Sequence, residues 1–366
     1  MIKLDRDPFK EYIKETEPNK RYKAYAWHTA IGLQAVDGLK TSEYLLHTAI
    51  RNIEGEISFE EANALLQNYY EENPTRDATN RTEETDKVSA RIVALLFERA
   101  FSFTPNEYIS IHRKLFTSIY SHAGCIRDYN ITKKEWVLNG ATVIYGSATE
   151  LKATLEYDIA EEKNFSYKNL SMEEIIHHLA VFISRLWQIH VFGEGNTRTT
   201  AVFFIKYLRT LGFDVTNDIF AENAWYFRNS LVRANYNDIK NGIHETTEFL
   251  EIFLRNLLLN ENHPLHNRTL HISGTFKETE KPDIETAKPD IDEPKPDIEV
   301  VFQPKTVSNI LKLREAFPGQ TIFGRSDVMK VIDIKASRAS DFLKDMVEHG
   351  IIEPVTGHGK GKYRFR

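Results

Sequence analysis

The chain has one cysteine, Cys125, among 366 residues. An internal disulfide is therefore excluded, and folding calls for no oxidising compartment. Nowhere does an apolar run reach about 18 residues, the length a membrane-crossing helix needs. The opening stretch, MIKLDRDPFKEYIKE, lacks an apolar core of signal-peptide length. The expectation is a cytoplasmic chain with no membrane partner. Neither sign of charge prevails: 47 Lys and Arg stand against 53 Asp and Glu, a formal net charge of -6, so there is no global polyanion-binding signal. The length allows two or three domains.

What is present is concentrated in Ile189-His190-Val191-Phe192-Gly193-Glu194-Gly195-Asn196-Thr197-Arg198. Ahead of it, Ser171 with Glu174 forms a capping box, and Ile175, Ile176, Leu179, Ala180, Ile183, Leu186 and Trp187 recur at helical spacing as far as about His190. Behind it, Thr199 to Leu211 is apolar around most of its circumference, the pattern of a central buried helix. The loop thus delivers a helix N-terminus into the middle of the protein. Such a terminus offers unpaired N–H groups and partial positive charge, and a glycine just ahead lets the backbone curl around an anion. Gly195, Asn196 and Thr197 are candidates to cradle phosphates, and Arg198 adds a fixed cationic fork. Glu194 is placed to hold a hard cation such as Mg2+, and His190 is the side chain that takes a proton near neutral pH. Phe192 reads as a hydrophobic anchor.

His190, Phe192, Glu194, Gly195, Asn196 and Arg198 fall in register with the signature H-x-F-x-[DE]-G-N-G-R-x-x-R, so the stretch resembles that of the Fic-domain family. The resemblance implies transfer of AMP from ATP to a hydroxyl of a protein target, with His190 as base, Glu194 on Mg2+, and the 195–197 backbone and Arg198 on the phosphates. Two positions depart from the pattern: Thr197 replaces the second glycine, and Ala201 stands where the second arginine would be. Both departures keep open transfer of the γ-phosphate instead. Arg228 or Arg233 is a candidate to replace the missing arginine, and Tyr226, Asn235 and Tyr236 are candidates to line the nucleobase.

The expected fold is mainly α: a Fic-type helical core with a β-hairpin flap, plus a small C-terminal winged helix-turn-helix domain. Residues 1–75 read as a helical, regulatory segment. Its Asp37-Gly38 and Glu54-Gly55 steps resemble the family's inhibitory pattern without its Ser or Thr, and both also fit glycine helix caps. Residues 76–262 form the expected catalytic core. Within it, 76–86 reads as a polar surface loop, and Thr104-Pro105 opens a helix. Gly124, Arg127, Asn130 and Ile131 again resemble the family core ahead of its flap. Leu138, Asn139, Gly140, Ala141, Thr142 and Val143 read as a hairpin around an Asn-Gly turn, which the resemblance makes the docking site for a protein substrate.

Residues 263–304 carry Lys-Pro-Asp-Ile three times at a seven-residue spacing, the mark of an extended linker. From residue 305 to 366, 12 Lys and Arg face 7 Asp and Glu, with helices expected over 307–317, 325–332 and 337–350 and strands at 351–355 and 363–365 flanking a Gly-rich turn. This resembles a winged helix and admits either DNA or protein contact. A DNA-binding regulator with a nucleotide-sensing scaffold is therefore a further reading, and a homo-oligomer is an option.

Overall fold

The computed structural model describes residues 9–14, 17–73, 80–216 and 218–273, and in the C-terminal part 309–310, 312–314, 316–317, 321–332, 334, 336–348, 351–355 and 362–365. The chain divides into two units, Met1–Asp290 and Ile291–Arg366.

The first unit is helical. Its N-terminal part comprises α1 (Phe9–Ile13), α2 (Pro18–Gly32), a 3-10 turn (Leu33–Asp37), α3 (Glu43–Glu54) and α4 (Phe59–Glu72). There follow α5 (Thr82–Phe97), α6 (Pro105–Phe116), α7 (Leu151–Asn164), α8 (Met172–Ile189), α9 (Asn196–Thr210), α10 (Ile219–Arg233), α11 (Glu248–Leu259) and the short α12 (Asn267–Leu270). The ends of α8 and α6 are set by local chemistry. Ser171 caps α8: its hydroxyl accepts from the Glu174 N–H at 3.3 Å, while the Glu174 carboxylate accepts from the Ser171 N–H at 2.8 Å. Thr104 caps α6, with Pro105 in the first turn. In α9 every residue from Asn196 to Leu208 is buried, so this helix is the axis around which α5, α6 and α8 pack.

Four sequence expectations change here. Residues 1–75 read as a segment of their own, yet α2 packs against α5 and α10, and one hydrophobic cluster runs from Phe9 to Leu270. The approach of α2 to α10 is so close that a Cβ on Gly32 would lie 2.3 Å from the Ala221 carbonyl oxygen. The 76–86 stretch read as a surface loop, but Thr82 already begins α5, and Glu84, Thr85, Asp86 and Lys87 are buried. Their charge misled the reading because it is paired inside: the Asp86 carboxylate accepts from the Ser42 N–H at 2.9 Å and from the Tyr70 hydroxyl at 2.7 Å.

The β-hairpin at 136–145 does not form as a strand pair. Asn139 and Gly140 do make the tight turn, both with positive φ, and the Ala141 N–H donates to the Leu138 carbonyl across it at 3.1 Å. The first limb, however, winds into a 3-10 turn (Trp136–Leu138), so its groups bond back to Glu135 and Trp136 and leave no ladder for the second limb.

The linker also begins later than residue 263. The Asn256 side chain bonds both the N–H and the C=O of His263, Leu270 is buried, and the Ile272 N–H donates to Val137 O at 3.0 Å. The Lys-Pro-Asp-Ile repeats lie outside the described residues.

The second unit has its own core, including Ile310, Leu313, Phe323, Val328, Phe342, Met346 and Phe365. The helices expected at 325–332 and 337–350 are present as α13 (Arg325–Ile332) and α14 (Ala336–Glu348). Strands β2 (Ile352–Pro354) and β3 (Lys362–Phe365) pair antiparallel, with Ile352 opposite Phe365. A third strand, β1 (Phe323–Gly324), joins the other edge of β3; two residues are too few to display a strand period. The Gly-rich turn between β2 and β3 lies outside the described residues.

Asn52 locks the N-terminal helices to one another. Its side chain accepts from the Trp27 indole N–H at 3.0 Å and donates to the Ile57 carbonyl at 2.9 Å, fully buried. Replacing Asn52 by Ala strands both partners in hydrocarbon, and a denaturant titration should show stability lower by about 2 kcal/mol.

Candidate active site

His190 ends α8 in the left-handed region, φ 52° and ψ 58°, a conformation that a side-chain-bearing residue adopts only where its surroundings impose it. Its Nδ1 lies 3.2 Å from the Trp187 carbonyl, which can only accept, so Nδ1 carries the proton. Nε2 is left with its lone pair, buried and without a hydrogen-bond partner. The ring is 3% exposed and lies against Tyr145, with centroids 4.3 Å apart. Burial above all, then the positive charges of Lys133, Arg127 and Arg228, hold its pKa well below the usual histidine value; the Trp187 carbonyl opposes them only in part. The imidazole is neutral at pH 7, the form a general base requires.

The loop from 191 to 196 is held from within. The Asn196 side chain accepts from the Phe192 N–H at 2.9 Å and donates to the Phe192 carbonyl at 2.6 Å, stapling the turn. The Thr197 hydroxyl accepts from the Trp187 indole N–H at 3.0 Å. His112, which no sequence signal singled out, stacks on Phe192 at 3.7 Å between centroids. Its Nδ1 accepts from the Gly124 N–H at 2.8 Å, so Nε2 carries the proton and donates to the Glu194 carbonyl at 3.0 Å. Burial lowers the His112 pKa to about 3, against the partial help of that carbonyl. His112 thus shapes the loop and takes no part as a base. Gly195, φ 75°, rests on Phe116: a Cβ there would be 2.4 Å from the ring. What remains for an anion is the set of main-chain N–H groups at the start of α9.

Arg198 is fully buried and engaged on every side. Its Nη1 donates to the Gln34 amide oxygen at 3.0 Å; its Nη2 donates to Glu84 Oε1 at 2.7 Å and the Tyr120 hydroxyl at 3.2 Å. Asp37 Oδ2 lies 2.8 Å from Nε, off the N–H axis, so that this contact is one of charge rather than a hydrogen bond. The Phe116 ring lies beneath the guanidinium at 4.8 Å. Of the two acidic residues flagged as inhibitory, then, Asp37 reaches the loop. Glu54 does not: it sits at the end of α3, on Lys20 at 2.7 Å.

Glu194 sits between two cations, Arg81 at 3.9 Å and Lys133 at 3.8 Å. Among the described residues no group of three or more His, Cys, Asp or Glu could hold a metal ion. One carboxylate flanked by two positive charges does not fit a resident Mg2+ centre.

The wall beside His190 comes from the docking turn and α10. The Glu135 carboxylate is fully buried, accepts from the Tyr145 hydroxyl at 2.9 Å and pairs with Arg228 at 2.7 Å. Arg127 fastens the same region, donating to the carbonyls of His190 at 2.7 Å, Tyr129 at 2.5 Å and Gly146 at 2.5 Å. Of the expected docking residues, Asn139 and Gly140 are exposed, Ala141 and Thr142 half-buried, and Leu138 and Val143 in the core; the neighbouring Ile144 side chain is 83% exposed. Asn235 is spent on the Ser184 and Leu231 carbonyls, tying α10 to α8. Tyr226 is a buried core residue whose pKa is pushed up to about 12 by burial. Arg233 lies over Phe249.

The residue most plainly missed is Glu84. Its burial would raise the pKa, but the Arg198 charge and the Arg81 hydrogen bonds outweigh that and bring it down to about 2. A carboxyl depressed in the folded state contributes its stability above the unfolded value of 4.5, and that contribution fades as the pH falls towards 2. Urea titrations across this window should show a loss on the order of 3 kcal/mol in the native chain. In Glu84→Gln the slope should flatten while stability at pH 7 drops.

Residues 102–208, from the approach to α6 through most of α9, match the Fic/DOC family. Among solved structures, a Fic family protein from Desulfovibrio desulfuricans G20 aligns over 98% of this chain and 92% of its own, at 11% identity and a TM-score of 0.42. A search of the curated proteins found no match. The chain carries a Fic/DOC family domain at residues 102–208.

Proposed function

We propose that this protein transfers AMP from ATP to a hydroxyl of a protein target. The observation that carries the reading is the His190 ring: Nδ1 protonated against the Trp187 carbonyl, Nε2 free, and the imidazole neutral at pH 7. In the reaction, Nε2 takes the proton of a Tyr, Ser or Thr hydroxyl. The oxygen forms a bond to the α-phosphorus, the bond from that phosphorus to the bridging oxygen breaks, and pyrophosphate leaves with the electron pair. The N–H groups at the start of α9 offset charge gathering on the phosphoryl oxygens. ATP would enter as its Mg2+ complex, the ion arriving with the substrate to offset phosphate charge, and Glu194 is the loop carboxylate that could face it. The exposed Asn139-Gly140 turn and the Ile144 side chain beyond it offer an extended segment of the target a place to lie.

Family membership of residues 102–208 supports a transferase acting on nucleotide-derived groups. Burial of the Thr197 side chain on Trp187 favours AMP transfer over γ-phosphate transfer, because the extra side chain does not fill the turn.

Arg198, the phosphate clamp of this scheme, is held by Asp37, Glu84 and Gln34. The Asp37 contact is coulombic only, and it is the one that can be given up without stranding a hydrogen bond. Asp37 therefore acts as a restraint on the enzyme. The small C-terminal unit serves in this reading as a docking module for protein or DNA.

With ATP labelled at the α-phosphate, the native chain should transfer label to protein and His190→Ala should lose it by about a hundredfold or more. Label arriving only from the γ-phosphate would replace this reading with a kinase-type one. Asp37→Asn should raise labelling about tenfold, the factor that corresponds to 1.4 kcal/mol of released constraint; unchanged labelling would remove Asp37 from regulation.

A further inference from the structure

The cations around His190 differ in one respect: which of them has donors to spare. Arg198 is committed to Gln34, Glu84, Tyr120 and Asp37. Arg127 is spent on main-chain carbonyls, Arg228 on the buried Glu135, and Arg81 on both oxygens of Glu84, each at 2.7 Å. A ligand that took any of these would leave a buried carboxylate or carbonyl without its partner.

Lys133 is the exception. Its ammonium makes a charge contact with Glu194 at 3.8 Å, too long for a hydrogen bond, and the side chain is 29% exposed. Its charge also acts on the His190 ring and helps to keep that imidazole neutral. Its main chain is anchored to the docking segment, its N–H lying 3.3 Å from the Thr142 hydroxyl. Glu194, the residue it faces, lies two positions ahead of the start of α9 and four beyond His190, whose Nε2 is unpartnered.

We propose that Lys133 is the phosphate-binding cation free in the resting structure, donating to non-bridging oxygens of the polyphosphate, while Arg198 stays tied to the N-terminal segment until Asp37 releases it. This rests on the transferase reading only in naming the anion as a nucleotide's polyphosphate. Because Lys133 is fixed to the docking segment, it links phosphate binding to the place where the target lies. Ala201 then leaves no deficit of charge: the missing cation comes from another part of the chain.

The test is calorimetric binding to the full chain in EDTA at fixed ionic strength, with ATP, inorganic triphosphate and adenosine as probes. Lys133→Met should weaken ATP and triphosphate about tenfold, the worth of one charge-assisted hydrogen bond, and leave adenosine untouched. Lys133→Arg should stay near the native affinity for both anions. A thermal melt of each variant checks folding. Lys133→Met binding ATP and triphosphate as tightly as the native chain would overturn the assignment, as would a native chain that binds neither anion. Labelling from α-labelled ATP separates the two ideas. Label that persists with Lys133-independent binding sinks Lys133 alone, whereas Lys133-dependent binding without label sinks the transferase alone.

Discussion

A guanidinium with no exposure to water has to be neutralised where it stands, and that requirement organises the first unit. Arg198 sits in the first turn of the central helix, and its partners come from three other parts of the chain: Gln34 and Asp37 from the 3-10 turn, Glu84 from α5, and Tyr120 from beyond α6. Removing Glu84, the carboxylate hydrogen-bonded to it, leaves charge uncompensated in a low-dielectric interior, where breaking such a pair costs about 3–5 kcal/mol. The N-terminal helices are therefore part of the body that holds the loop, even though the family match covers only residues 102–208.

The same economy of partners defines what the site can do. His112, Asn196, Thr197 and Arg127 are spent on giving the loop its shape. The groups left over are a ring nitrogen, a few main-chain amides, one carboxylate and one ammonium. Rigid residues do the positioning, and the uncommitted groups meet the reactants, a division that preorganised sites share.

The central features were legible because they are local. The Ser171 capping box, the Thr104-Pro105 start of α6, the apolar circumference of α9 and the spacing from His190 to Arg198 each declare themselves within a dozen residues. The misreadings came from pairings far apart in the chain. Glu84 and Asp86 look like surface charge until Arg198, 114 residues away from the first, and Ser42, 44 away from the second, are brought to them. The Asn139-Gly140 turn was legible from its own dihedral demand. Whether its limbs would pair depended on Trp136 to Leu138 closing back on themselves, which residue preferences do not encode. Likewise the Ile272 N–H bonds the Val137 carbonyl at the base of that turn and Leu270 is buried, in a stretch read as linker along with the Lys-Pro-Asp-Ile repeats that follow it.

The contact between Gly195 and the face of Phe116 alters how that glycine is understood. A methyl group there would collide with the ring from which Arg198 draws its cation–π support, so the disturbance would run downward into the charge cluster before any nucleotide arrived. Glycine at this point is demanded by hydrocarbon beneath the loop as much as by an anion above it. An alanine at this point would damage the resting fold and the chemistry together, and lost turnover alone would say nothing about phosphate.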